Sequence, residues 1–232
     1  MTVFKYALLR GLRSPMSIVV NFALPLFLIF LRNLWEGDNI ALQDGFSFIG
    51  LLILFGSFLT ARGIMNDKHD GTTTRILAGP TTTFRYLSQN LLACMVPLTA
   101  TIVVVVTIGT ILYSWQLSFA FALILCYTIF AAACVALSFA WSCLFKSKEA
   151  SFSIFSVLAM FMAALGGLIL PLSMLPDILR YFGAIFPAYW AAFGLDILQN
   201  YGAAAGRFWL SLGAMALFAI AFLLYGGKRR LI

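Results

Sequence analysis

A long stretch without charge constrains this chain more than any other feature. From Tyr86 to Phe145, 60 consecutive residues include no Asp, Glu, Lys or Arg. A helix that crosses a bilayer uses about 20 apolar residues, so the stretch is long enough for two crossings. Basic residues flank it at Arg85 and Lys146. Because Lys and Arg favour the cytoplasmic side, the chain is expected to turn near 113–116 and return to the side it left.

The rest of the chain has the same apolar character. Hydrophobic residues make up 62% of the sequence and charged residues 10%, whereas a soluble domain carries about 25% charge. In lipid the backbone must satisfy its own hydrogen bonds, which leaves helices or a closed barrel. The apolar runs are unbroken and do not alternate with polar residues, as barrel strands would. The sequence therefore predicts an all-α polytopic membrane protein.

Six transmembrane helices are expected, with an interfacial amphipathic helix before them. The predicted spans cover 16–31, with a kink at Pro25, then 46–61, two helices within 86–145, 152–170 and 208–225. Within residues 1–14, apolar side chains recur every fourth residue at Phe4, Leu8 and Leu12. Such a helix is suited to lie on the membrane with its basic residues near anionic lipid headgroups. Those basic residues are Lys5, Arg10 and Arg13.

The distribution of charge predicts the orientation. If the N-terminus is cytoplasmic, twelve of the fifteen Lys and Arg residues and three of the eight acidic residues fall on the cytoplasmic side. This bias requires an even number of spans, so both termini are expected in the cytoplasm. The formal net charge of +7 is then a topology signal, and no nucleic-acid partner is predicted.

Sequence motifs for chemistry are absent. The sequence has no GxxxxGK[ST] phosphate loop, no HExxH and no GxSxG, and its one histidine is His69. The four cysteines lie in apolar runs without metal-ligand spacing, and no Asp, Glu or Lys falls in the middle of a span. We therefore predict no catalytic, cofactor-binding or metal-binding residues. Six polar residues in the spans are expected mostly to form hydrogen bonds between helices, although lining a path stays an alternative. They are Asn21, Ser57, Thr60, Gln89, Asn90 and Thr99.

The longest polar stretch between spans covers residues 62–85. Gly71 can break a helix, and Thr72 or Thr73 can cap a short one that Pro80 ends. Ile76 and Leu77 are expected to be exposed apolar positions on this helix, next to Asp67, Lys68 and Arg75. An exposed apolar tip among charges suits docking to another protein. A solvated connector explains the same residues equally well.

A second irregular segment covers residues 171–207, on the predicted outer side. It is half apolar and contains Pro171, Pro176 and Pro187, with an aromatic pair at Tyr189 and Trp190. We expect short helices that re-enter the membrane from outside, because irregular backbone at that depth is tolerated only against protein or a cavity.

Both segments resemble ABC-2 type transporter permeases, and the resemblance covers essentially the whole chain. Asp67-Lys68, Gly71-Thr72, Arg75, Ile76-Leu77 and Pro80 stand in the order of that family's cytoplasmic loop. His69 and Thr74 depart from it, since the family often has Glu there. A Gly…Pro…Leu-Pro…Pro pattern follows the fifth span, as in the family. Its residues are Gly166-Gly167, Pro171, Leu175-Pro176 and Phe186-Pro187 with Tyr189-Trp190.

The resemblance implies a function for the whole chain as one ABC-2 transmembrane domain. It would be the permease subunit of an ATP-binding cassette exporter in a prokaryotic plasma membrane, paired with a second permease as a homo- or heterodimer. ATP and Mg would be bound by a separate ATPase subunit, with loop 62–85 as the coupling helix seated on it. The segment after Pro171 would cap the exit.

The cargo and two other roles stay open from the sequence. A path with few charges suits a hydrophobic or amphipathic substrate such as a drug, an antibiotic peptide or a lipid-like molecule. Polysaccharide, sodium or haem-related cargo are alternatives, as is a membrane scaffold that transports nothing. An intramembrane enzyme would need paired polar catalytic residues, which the spans lack.

Overall fold

A computed structural model describes residues 2–13, 18–31, 45–79, 82–145, 147–204 and 206–228. These residues form helices and connecting turns, with no strand in the described part of the chain. The helices are α1 Thr2–Arg13, α2 Val19–Ile29, α3 Gly45–His69, α4 Thr72–Leu77, α5 Thr83–Tyr113, α6 Leu117–Ser142, α7 Lys148–Leu165, α8 Asp177–Gly183, α9 Pro187–Tyr201 and α10 Gly206–Lys228. A 3-10 turn, Leu172–Met174, precedes α8.

Five of these helices are long and apolar enough to cross a membrane, namely α3, α5, α6, α7 and α10. The count reaches six if α8 and α9, which meet at a bend of 113°, form one span. The turn expected at 113–116 is present, and Ser114 there has a φ of 53°. The all-helical, multi-span fold class predicted from the sequence is thus confirmed.

The predicted first span differs from expectation. The helix α2 begins as a π-helical turn, Val19–Ala23, and continues as an α-helix, Leu24–Ile29. Pro25 lies in the first turn of the α-helical part, where its missing N–H is tolerated. The π-helical part has five residues and the α-helical part six, which is shorter than the roughly 20 residues of a full span. Residues 14–17 and 32–44, on either side, lie outside the described part of the chain. The loop around Trp35 lies outside the described residues.

Helix α6 is the centre of the bundle. In its apolar window 67% of the residues are buried inside the protein, against 22% in α10. It packs against α3, α5, α9 and α10. Small residues make this close packing possible, because they let neighbouring backbones approach. Those on α6 with no exposed surface include Ala131, Ala133, Ala136 and Ser138. Most of the apolar residues of α7 and α10 are not buried inside the protein.

The second span was predicted to end near Ala61, but α3 continues to His69. Residues 62–69, read from the sequence as loop, are two further helical turns. Their polar side chains are compatible with a helix, and Gly63 lies within it without ending it, whereas Gly71, with a positive φ, follows the end of the helix. Thr83–Arg85 likewise belong to α5. The described part of the connection between the two helices consists of α4 and the turn residues beside it.

Candidate functional site

Several helix termini meet at one end of the bundle, which we call the basic end. Helix α3 ends there, α4 follows, α5 begins, and α6 ends before α7 begins. The N-terminal helix α1 packs against α5 and α3 at the same place. Among the candidate residues from the polar stretch, the structure brings Asp67, Lys68 and Gly71 together at this junction. The candidates of the second irregular segment, from Pro171 to Trp190, lie at the opposite end.

An ion pair joins α1 to α3 at the basic end. Arg10 Nη1 lies 2.6 Å from Asp67 Oδ1. The hydroxyl of Tyr86, on α5, donates a hydrogen bond of 2.7 Å to the other carboxylate oxygen of Asp67. Tyr86 has no exposed surface, whereas the side chains of Arg10 and Asp67 are 36% and 20% exposed. One carboxylate therefore connects three helices.

Two further residues complete this Arg10–Asp67–Tyr86 junction. Arg10 Nη2 donates to Asn90 Oδ1 at 3.4 Å, and Asn90 donates to the Tyr86 carbonyl at 3.0 Å. Gly63 provides the space, because a Cβ there would lie 2.5 Å from the Arg10 guanidinium carbon.

The position of Arg10 corrects a sequence prediction. Arg10 was expected to face lipid headgroups, but it points into the protein, where the Asp67 carboxylate offers a stronger partner. On the same helix Lys5 and Tyr6 are exposed. The Arg13 side chain is outside the described residues. Sequence reasoning missed Arg10, Gly63 and Tyr86 because their partners are distant in the chain.

The turn from α3 into α4 depends on Gly71. Its φ is +70°, in the left-handed region that glycine adopts without strain. Its N–H donates to the Lys68 carbonyl at 3.3 Å, and the Asp70 N–H donates to the Asn66 carbonyl at 2.9 Å. These bonds end α3, and α4 begins at the next residue. A tight turn thus connects α4 directly to the end of α3 that contains Asp67.

The exposed side chains that the structure describes on α4 are polar. Thr72 and Arg75 are exposed, whereas Thr73 is fully buried. Ile76 was expected to be exposed, but it is half-buried and packs against the core of the bundle. The side chain of Leu77 and all of Pro80 lie outside the described residues.

Lys68 fastens the same region to a further helix. Its Nζ donates a hydrogen bond of 3.3 Å to the carbonyl of Phe145, just beyond the end of α6. A cation is favoured there by the unsatisfied carbonyls of a helix C-terminus. The end of α3 is therefore attached to α1, α5 and α6 by polar contacts.

The polar residues predicted within the spans mostly bond to backbone or to a neighbouring helix. Asn21 Nδ2 on α2 donates to Thr60 Oγ1 on α3 at 3.1 Å. The Ser57 hydroxyl bonds to the Ile53 carbonyl within α3. Together with the contacts of Asn90, these bonds support the interhelical and structural interpretation over a polar path for four of the six residues.

The predicted cap residues form a compact group at the opposite end. Pro171 precedes the 3-10 turn, Pro176 precedes α8, and Pro187 is the first residue of α9, where its fixed φ suits a helix start. Trp190 Nε1 donates to the Ala184 carbonyl at 2.9 Å, across the bend between α8 and α9. Tyr189 packs edge-on against Trp190. The aromatic pair thus stabilises the 113° bend.

Close backbone contacts hold this group on the bundle. A Cβ on Gly166, at the end of α7, would lie 2.6 Å from Ala188 Cβ and 2.4 Å from the Met162 carbonyl oxygen. Arg180 Nε donates to the Leu172 carbonyl at 2.6 Å. The apolar side chains of Ile178, Tyr181 and Phe182 on α8 are nevertheless exposed. This end therefore presents a fixed, partly apolar helical cap.

No set of three or more His, Cys, Asp or Glu side chains in the described ranges has a geometry that could hold a metal ion. The basic end contains an ion pair and hydrogen bonds that join helices. The fold defines the chain as a multi-pass membrane protein.

A family model gives a more specific assignment, because the model for the ABC-2 family transporter protein covers residues 38–227. The chain belongs to this ABC-2 transporter family, as its sequence motifs indicated. It is a membrane transporter subunit and not itself the catalytic component, and permeases of this family generally dimerise and work with an ABC ATPase. A search of curated proteins finds no match.

Proposed function

We propose that this chain is the membrane half of an ATP-driven exporter in a prokaryotic plasma membrane, with its ATPase on a separate polypeptide that docks at α4. Both termini are placed in the cytoplasm, so that the basic end of the bundle is cytoplasmic. Two copies, or this chain and a related permease, form the transport unit. ATP and Mg are bound by the ATPase and not by this chain.

The observation that carries the proposal is the Arg10–Asp67–Tyr86 junction directly behind α4. Thr72 and Arg75 of α4 are exposed and available to a partner. Only the turn at Asp70 and Gly71 separates α4 from α3. Asp67, one turn before that, is bound to α1 and α5. A push on α4 would therefore move the ends of three helices together.

The two ends of the bundle differ in structure, which supports a transport role over a purely structural one. Movement begins at the basic end, where the polar contacts between helices are concentrated. The α8–α9 cap at the opposite end is proposed to control the exit, with the two helices dipping into the membrane from outside. The apolar side chains on α8 and the uncharged spans suit a hydrophobic or amphipathic cargo, such as a drug, an antibiotic peptide or a lipid-like molecule.

Site-specific photo-crosslinking tests the docking position. A benzophenone amino acid replaces Thr72, which is exposed on α4, or Ser118, which is exposed at the start of α6 at the opposite end. After ultraviolet irradiation of membranes from the native host, we expect a crosslinked soluble ATPase with a phosphate loop from position 72 and none from position 118. Mass spectrometry of the product identifies it.

The Ser118 variant is the matched control, because it carries the same probe at an exposed position on the other side of the membrane. A crosslinked ATPase from position 118, or only lipid and unrelated proteins from position 72, would refute docking at α4.

A further inference from the structure

A cleft of about 470 Å³ lies between α3 and α7 at the basic end. It is separate from the Arg10–Asp67–Tyr86 junction, because none of these three residues lines it. Phe58, Met65 and Phe152 form its apolar walls, and Arg62 and Lys148 place two cations at its lining. The cleft thus combines a cationic mouth with an apolar interior.

The two cations are not neutralised by the protein. The Arg62 guanidinium lies 4.2 Å from the centre of the Phe152 ring, a contact that orients it without removing its charge. In the part of the chain that the structure describes, neither Arg62 nor Lys148 forms an ion pair. Glu149 also lines the cleft, and its carboxylate accepts a hydrogen bond of 3.0 Å from Ser147. The three charged side chains leave a net positive charge.

A buried hydroxyl lines the same cleft. Ser151, in the second turn of α7, is 1% exposed, and its Oγ has no hydrogen-bond partner. An unsatisfied buried hydroxyl is unusual in a folded protein and calls for a missing partner. The Ser151 carbonyl accepts a bond of 3.1 Å from Trp141 Nε1, which fixes this turn against α6. The hydroxyl is therefore held in place as a donor near a helix N-terminus, where anions are favoured.

The position of the cleft along α3 indicates an amphiphilic ligand. Arg62 lies 17 residues after Gly45, which corresponds to about 26 Å along the helix and places it close to a bilayer boundary. Phe58 is one turn deeper. On α7, Val157, Met160 and Phe161 are exposed at four, seven and eight residues from Ser153, which lines the cleft. An apolar stripe therefore leads from the cleft along the membrane-facing side of α7.

We infer that this cleft binds an amphiphile whose phosphate gives it a net negative charge. The phosphate accepts hydrogen bonds from Arg62, Lys148 and the Ser151 hydroxyl, and the apolar part lies against Phe58 and the stripe on α7. Arg and Lys beside a buried hydroxyl match phosphate, which offers several strong acceptor oxygens. The site does not depend on an ATPase partner or on docking at α4. A membrane phospholipid and a soluble phosphate ester are the two sources of such a group.

The test is native mass spectrometry of the full chain in mixed micelles that contain phosphatidylglycerol and phosphatidylcholine. The intact chain is expected to retain phosphatidylglycerol preferentially, and R62Q/K148Q is expected to lose this preference by about tenfold or more, the effect of losing charged hydrogen bonds. The conservative variant R62K/K148R should retain it. S151A should weaken binding several-fold with all charges kept.

Inorganic phosphate, added as a competitor, distinguishes the two sources of the group. Displacement of the lipid indicates recognition of phosphate alone, and no displacement indicates a membrane lipid.

The matched control is R207Q/K228Q, which removes two exposed cations elsewhere. An equal loss in this control would show non-specific charge attraction and would overturn the site. Equal retention of the two lipids by the intact chain, with no effect of phosphate, would overturn it as well. Thermal unfolding of each variant identifies any that fail to fold, and for those R62K/K148R and S151A decide the outcome.

Discussion

Asp67→Ala is expected to reduce the permease-stimulated ATPase rate of the reconstituted complex at least tenfold. The change removes the acceptor for Arg10 on α1 and for Tyr86 on α5 together. It leaves a half-exposed cation and a buried hydroxyl without their partner, and we expect the chain itself to lose about 2–3 kcal/mol of stability. Denaturation in detergent measures the second effect, and ATP hydrolysis in proteoliposomes measures the first.

Three variants separate the charge of Asp67 from its hydrogen bonds. Asp67→Asn keeps an acceptor for Tyr86 and is expected to cost less than alanine. Combined with Arg10→Gln, it forms a double-mutant cycle whose coupling energy should be about 1–2 kcal/mol. Asp177→Ala is the control, because its carboxylate is 87% exposed and its ion pair is long, at 3.9 Å, so a cost of less than about 1 kcal/mol is expected. A coupling energy near zero would show that Arg10 and Asp67 do not act as a pair.

Gly166→Ala is expected to destabilise the chain by about 3 kcal/mol and to displace the α8–α9 cap. The added Cβ would overlap Ala188 Cβ and the Met162 carbonyl oxygen, at 2.6 and 2.4 Å. Backbone and a rigid Ala side chain cannot move aside as a flexible side chain would, so α7 and α9 must separate. Chemical denaturation in detergent measures the loss. Accelerated proteolysis between residues 166 and 187 would locate it.

The same substitution at Gly213 is the control. This glycine is within α10, and no neighbouring atom lies within 4 Å of its added Cβ. There, alanine should stabilise the helix by about 0.5–1 kcal/mol, because it restricts the unfolded backbone. Equal effects of the two substitutions would mean that close packing of α7 on α9 does not hold the cap.

Helix number and approximate position could be predicted because hydropathy is a local property. The turn near Ser114 follows from the length of the charge-free stretch, since one helix cannot use 60 apolar residues to cross one bilayer. Hydropathy did not predict the extension of α3 to His69. Polar side chains after Ala61 suggested a loop, but polarity by itself does not end a helix, and Gly71 is the first residue that does.

The sequence named candidate residues at this end of the bundle but not their contacts. Asp67, Lys68 and Gly71 were identified from their order in the chain, and the structure gives the first two their partners. The partner of Asp67 is 57 residues earlier in the sequence, and an arginine on an amphipathic helix is ordinarily expected to face lipid headgroups. Because Gly63 has no side chain, the Arg10 guanidinium fits beside α3 and reaches Asp67 instead. Ile76 was expected to be exposed because it lies on a short helix in a polar stretch. Its burial depends on the bundle behind α4, which the local sequence does not show.

The most direct test of the account is purification of the tagged chain from its native host in mild detergent, followed by mass spectrometry of the proteins that accompany it. The account predicts a stoichiometric soluble ATPase with a phosphate loop. Asp67→Ala should retain that ATPase, because α4 is intact, but should lose the stimulated ATP hydrolysis. A chain that purifies without an ATPase would contradict the assignment as an ATP-driven permease and would favour a membrane scaffold.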